Sequence, residues 1–140
     1  MNFQEVIMSE EPSSILSHVS LGTNDFEHAT DFYDAVLGTF GIGRFMEHPG
    51  AVAYGHAFPE FWVQTPIDGK PAGAANGSHV AFLASTRAEV KAFWKTALDK
   101  GATGNGEPGP RPIYGEPYYG YFLHDPDGHK IEAMVWEADS

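Results

Sequence analysis

At 140 residues, with 42% hydrophobic and 14% aromatic composition, the chain has the size and apolar content of one domain with a buried core. Nineteen acidic against eight basic residues give a formal charge of −11, which repels phosphate backbones and anionic lipid and sets aside nucleic acid and membrane surfaces as partners. Cysteine is absent, so disulfides, zinc ribbons and a thiol nucleophile are excluded.

Residues 1–14, MNFQEVIMSEEPSS, carry neither the basic n-region nor the apolar h-region of a secretory signal. They are expected to be a loosely held leader, and the cytoplasm is the expected location. No apolar run approaches the roughly 20 residues that span a bilayer.

From residue 15 the chain repeats itself. Residues 17–37, SHVSLGTNDFEHATDFYDAVL, overlie residues 78–98, SHVAFLASTRAEVKAFWKTAL, without a gap. Ser17/Ser78, His18/His79, Val19/Val80, Phe32/Phe93 and Leu37/Leu98 are identical, and Tyr33/Trp94 are both aromatic. Each copy opens with a short strand-like run. A helix-start signal follows, Asn24 with Glu27 in the first copy and Thr86 with Glu89 in the second, the spacing of a capping box. Ala29, Phe32, Tyr33, Val36, Leu37 and Val90, Phe93, Trp94, Ala97, Leu98 then fall on the single stripe of an amphipathic helix. Gly38 and Gly101 punctuate the helix ends.

After the first helix, extended runs are predicted at Arg44–Glu47, Ala51–His56 and Phe61–Gln64, split by Pro49-Gly50 and Pro59. Residues 67–77 read as a linker. After the second helix, residues 104–117 are rich in Gly and Pro and resist assignment. Tyr118–His124 and Lys130–Trp136 read as strands joined by the turn Asp125-Pro126-Asp127-Gly128. The expected fold is therefore α+β: two tandem βαβββ modules, 15–66 and 78–137, forming a curved mixed-sheet cleft.

His18 and His79 occupy matched places in the two copies, and if the modules are related by a pseudo-twofold axis these equivalent positions face each other across it. In the closing run KIEAMVW the carboxylate Glu132 alternates with Ile131 and Ala133, and a charge in such a run is costly to bury unpaired. A divalent metal bound by His18, His79 and Glu132 would offset that cost. Two imidazoles and one carboxylate suit Fe, Mn, Ni, Co or Zn. His28, His48, His56, His124 and His129 lack a matched partner. Of these, His28 and His129 are expected in solvent, and His124 is the best placed to reach a cleft. Trp62, Phe45, Tyr54, Tyr118, Tyr119 and Tyr121 are candidate walls for a flat or apolar substrate, and Arg111 a candidate for binding a substrate carboxylate.

ILSHVSLGTNDFEHATDFYDAVLG, GSHVAF and YGYFLHDPDGHKIEAMVW together resemble the vicinal-oxygen-chelate superfamily of glyoxalase I, extradiol dioxygenases and the fosfomycin- and bleomycin-resistance proteins. The D-P-[DE]-G turn followed by a strand ending K-[IL]-E is the most specific element. The resemblance implies a small-molecule substrate chelated to the metal through adjacent oxygens, and a homodimer. It places His18, His79 and Glu132 at the first, third and fourth metal positions and implies a catalytic role for Glu132. The second position, a carboxylate in glyoxalase I, falls on Trp62. Glu60, two residues earlier on the same strand face, would replace it only in a shifted register. The reading from another class is a metal-free module that sequesters a small molecule.

Overall fold

The computed structural model describes residues 15–137; the expected leader lies outside them. The first half holds β1 (Val19–Gly22), α1 (Phe26–Gly38), β2 (Arg44–His48), β3 (Ala51–Tyr54) and β4 (Phe61–Gln64). The second holds β5 (Val80–Leu83), α2 (Arg87–Asp99), the two-residue strands β6 (Thr103–Gly104) and β7 (Gly109–Pro110), a 3-10 turn at Pro112–Tyr114, β8 (Tyr118–His124) and β9 (Lys130–Trp136). The first sheet runs β1-β4-β3-β2 and the second β5-β9-β8-β6, with β7 also on β8. In each sheet the opening strand lies parallel to the closing strand, and the other pairings are antiparallel. The segment that resisted assignment supplies β6, β7 and the 3-10 turn, elements too short to leave a periodic signal.

One face of each sheet is covered by its helix, and alternation along the strands sorts the side chains. Val52, Tyr54, Phe61 and Val63 face α1, where Phe32, Tyr33, Val36 and Leu37 are fully buried or nearly so. Tyr119, Tyr121, Leu123, Ile131, Ala133 and Val135 face α2 with Val90, Phe93 and Ala97. Leu98, placed on the stripe by spacing, is instead 46% exposed at the last turn.

The two helix starts differ from the capping-box expectation in instructive ways. Thr86 caps α2 by accepting from the Glu89 N–H at 3.1 Å, while Glu89 accepts from the Ser85 N–H at 2.7 Å, one residue before the cap. In α1 the cap is Asp25, whose carboxylate accepts from the His28 N–H at 3.1 Å. Asn24 is displaced from that role because its amide bonds both backbone groups of Ala72, at 2.7 and 2.9 Å, pinning the chain between the modules.

The modules are joined around Asp125, a carboxylate only 5% exposed. Its Oδ2 accepts from the Tyr33 hydroxyl of α1 at 2.6 Å. Its Oδ1 accepts from the backbone N–H groups of Asp127 and His129, each at 2.9 Å, closing the turn between β8 and β9. From that turn the His129 ring pairs its Nε2 with the Gly22 carbonyl at 2.7 Å, and Asp127 accepts from the Asn24 N–H at 2.9 Å. His129 is thus buried rather than solvated, because it spans from the turn to the end of β1.

Replacing Asp125 by Ala strands the buried Tyr33 hydroxyl and two turn N–H groups. The expected loss is about 3 kcal/mol, against about 1 kcal/mol for Tyr33→Phe, which leaves the carboxylate its two backbone donors. Urea denaturation of both variants checks the order.

Candidate functional site

The sheet faces away from the helices carry the chemistry. In the second module the strand registers bring Ala81 and Phe122 to either side of Glu132 on neighbouring strands. Although it lies on the uncovered face, Glu132 is only 6% exposed. Its Oε1 lies 3.3 Å from Nε2 of His79, which stands one residue before β5 with its side chain half exposed. Its Oε2 accepts a hydrogen bond of 2.5 Å from the Tyr118 hydroxyl. Burial, followed by this bond to a carboxylate, raises the Tyr118 pKa, so the phenol stays protonated and donates.

Tyr118 reaches Glu132 by lying across the strand over Gly120. A Cβ at position 120 would stand 2.1 Å from the Tyr118 oxygen, so glycine is a steric requirement there. Tyr114 and Trp136 pack edge-on against the Tyr118 ring at 5.1 and 5.5 Å between centroids. Phe122 continues the same face, with Arg111 Cζ 5.8 Å and Lys130 Nζ 5.3 Å from its ring centre. A cavity of about 320 Å³ adjoins, lined by Ser20, Leu21 and Gly22 from β1 and by Ser78, His79 and Lys130 from the second module. A second depression, about 380 Å³, lies by Thr23, Asn24, Thr65 and Lys70, and no imidazole or carboxylate lines it.

Of the three residues expected to share a metal, His79 and Glu132 are neighbours and His18 is not with them. Among the described residues no group of three His, Cys, Asp or Glu side chains comes together. His18 stands one residue before β1, exposed, with Ser17 Oγ 3.0 Å from its Nδ1. An imidazole nitrogen and a carboxylate oxygen at this spacing fit two adjacent positions on a divalent ion. Among the described residues no third His, Cys, Asp or Glu donor joins this pair.

Trp62 pairs with Ser20 in the first sheet as Glu132 pairs with Ala81 in the second, so the indole does occupy the carboxylate's equivalent position. It stacks on His48 with centroids 6.1 Å apart and planes 8° from parallel. The register is unshifted, and Glu60 is engaged by the β3–β4 loop, its Oε2 3.5 Å from the His56 N–H.

Three expected pocket walls belong elsewhere. Tyr54 is 1% exposed and donates to Asp34 and the Thr30 carbonyl. Tyr121 is fully buried, beside Trp94. Tyr119 is 7% exposed and lies beneath the Arg87 guanidinium, which sits 4.5 Å from its ring centre. All three sit on helix-facing positions. The alternation of YYGYFLH carries the correct signal, since Tyr118, Gly120 and Phe122 share the face of Glu132 and the residues between them do not. Phe122, Lys130 and Tyr114 were not singled out by the sequence reading, and strand parity opposite Glu132 identifies the first two.

Tyr118→Phe and Gly120→Ala should remove the same bond by two routes. Each is expected to cost about 2 kcal/mol, and the double variant little more than either alone. Chemical denaturation of the three proteins checks this.

Comparison with known proteins gives a consistent outcome. The family model described as Glyoxalase/Bleomycin resistance protein/Dioxygenase superfamily matches residues 15–133. A glyoxalase/bleomycin resistance protein from Albidiferax ferrireducens T118 is 38% identical, with 87% of this chain and 98% of that one covered and a TM-score of 0.79. A lactoylglutathione lyase from Agrobacterium tumefaciens (20% identity, 90% and 96% covered, TM-score 0.62) is alike in fold. So is a glyoxalase/bleomycin resistance protein/dioxygenase family enzyme from Burkholderia phytofirmans PsJN (18% identity, 88% and 99% covered, TM-score 0.66). No curated protein matches the chain.

Proposed function

The chain belongs to the glyoxalase/bleomycin resistance protein/dioxygenase superfamily, and on that premise we propose that it is a divalent-metal-dependent enzyme acting on a small molecule held through adjacent oxygens. The observation that carries the proposal is the pair His79–Glu132, a buried carboxylate beside a half-exposed imidazole on the uncovered sheet face. A carboxylate removed from water in a strand costs free energy unless something is gained from it, and hydrogen bonding to Tyr118 leaves its other oxygen turned to His79.

In this reading His79 and Glu132 hold Fe, Mn, Ni, Co or Zn, and His18 supplies the third donor from a second copy of the chain, so that the working form is a homodimer. A site shared between modules of different chains accords with the separation of the chain's own His18 from the His79–Glu132 pair among the described residues. The ion supplies Lewis acidity toward chelated substrate oxygens. Tyr118 fixes the Glu132 carboxylate in orientation by its hydrogen bond. Trp62, stacked on His48, gives the opposing half of the site an apolar wall. Glu132, the carboxylate nearest the open face, is the candidate for moving a substrate proton.

The second reading is a metal-free protein that sequesters a small molecule. It is favoured by the partners Glu132 already has within the chain, the Tyr118 hydroxyl on one oxygen and the His79 ring beside the other. Metal analysis of protein purified without chelator separates the two readings. About one divalent metal per chain is expected, and its loss in His79→Ala, since one donor in three is removed. Retention of full metal in that variant, or a monomer by light scattering at micromolar concentration, would sink the shared-site assignment.

Lactoylglutathione lyase activity is expected to be negligible, because the indole of Trp62 is neither a ligand nor a base. Trp62→Glu should tighten metal binding by adding a charged donor. An assay with methylglyoxal and glutathione on the unmodified protein checks the first expectation, and metal titration of the variant the second.

A further inference from the structure

The uncovered face of the second module carries two cations that the proposed metal chemistry does not use. Arg111 and Lys130 both lie near one aromatic ring, Phe122, at 5.8 and 5.3 Å from its centre. Phe122 is directly opposite Glu132 across the β8–β9 ladder, and Lys130 is two residues before Glu132 on the same strand face. Lys130 also lines the cavity that holds His79.

Neither cation forms an ion pair among the described residues, in a chain of net charge −11 where Arg44 engages Asp34 and Glu47 and Lys100 engages Asp31. The one hydrogen bond of the Arg111 guanidinium found there is to the neighbouring Pro110 carbonyl at 3.1 Å. Contacts at 5 to 6 Å lie near the outer reach of cation–π attraction, roughly 6 Å, so Phe122 holds both cations weakly. Apart from the Arg111 bond to Pro110, their donors are open to a ligand. Phe122 supplies an apolar ring, and the Tyr114 ring stands beside it at 6.5 Å between centroids.

We propose that Arg111, Lys130 and Phe122 form a receiving surface for a planar organic anion, an aromatic carboxylate, whose ring lies against Phe122 and whose charge is shared by the two cations. The proposal rests on the active-site reading above and names its substrate class. Arg111 offers a fork of N–H donors that matches a carboxylate, and Lys130 adds a point charge beside the same ring. Adjacent oxygens on the far side of such a ring would then be turned toward His79 and Glu132.

The test uses the full chain as purified and three small probes, benzoate, benzyl alcohol and cyclohexanecarboxylate, followed by titration calorimetry and ligand-observed NMR. Benzoate should bind at least tenfold more tightly than either the neutral ring or the non-planar anion. Arg111→Gln and Lys130→Gln, each checked for folding by circular dichroism, should each weaken benzoate about tenfold. Both variants should keep the metal content of the unmodified protein, measured on the same samples. Equal affinity for benzoate and benzyl alcohol, absence of benzoate binding at millimolar concentration, or unchanged benzoate affinity in both folded variants would overturn the proposal. Charge-selective binding by a protein without metal would overturn the metal reading alone. Metal without charge-selective binding would overturn the anion surface alone.

Discussion

Everything about the site depends on the carboxylate of Asp125. Two βαβββ units joined by a Gly- and Pro-containing segment share one apolar core, in which Phe61 meets Phe82 at 4.9 Å and Phe40 meets Phe93 at 5.3 Å between centroids, but apolar contact is non-directional. Asp125 adds direction to that contact by accepting from Tyr33 of the first helix and from two N–H groups of its own turn, so that one buried carboxylate is shared across the module boundary. The turn then reaches β1 twice more, through His129 and Asp127. Charge-assisted bonds of this kind are strong because the low-dielectric surroundings leave them without competing water. The cavity between β1 and the start of β5 is a consequence of that alignment, and His79 lies on its wall.

The sequence makes the elements legible wherever a period is sustained. Both helices, the closing strands and the parity of KIEAMVW follow from spacing, because a one-sided covering of the sheet forces alternation. Legibility fails where long-range contacts decide. Asn24 looks like a cap and is drawn off to Ala72, forty-eight positions away. His129 looks solvated beside a turn and is buried because it meets Gly22. The short strands β6 and β7 exist only as partners of β8 and have too few residues to show any pattern.

Site residues divide along the same line. His79 and Glu132 could be found from the repeat and from a charge in an apolar run, and they are neighbours in the structure. Tyr54, Tyr119 and Tyr121 were chosen for being aromatic, and aromaticity does not report which face a ring occupies. Parity does: Tyr118 and Phe122 are separated from Tyr119 and Tyr121 by one residue and by the thickness of the sheet. His18 could not be placed from the repeat alone, since matched positions in two modules need not meet within one chain.

The internal duplication also explains why the two halves differ where they do. Glu132 and Trp62 hold equivalent registers, yet one is a buried carboxylate tied to Tyr118 and the other an indole stacked on His48. A carboxylate at that register needs a phenol to orient it, and the phenol needs Gly120 to pass over the strand. The corresponding strand of the first module, AVAY, offers Ala53 opposite Trp62, so a carboxylate at 62 would lack the phenol that orients Glu132 and would find its polar neighbours in Ser20 of β1 and His48 instead. An indole needs no such phenol. Tyr118 and Gly120 of β8 therefore distinguish the polar half of the site, and the first sheet, whose strand AVAY has no counterpart to that pair, carries the indole.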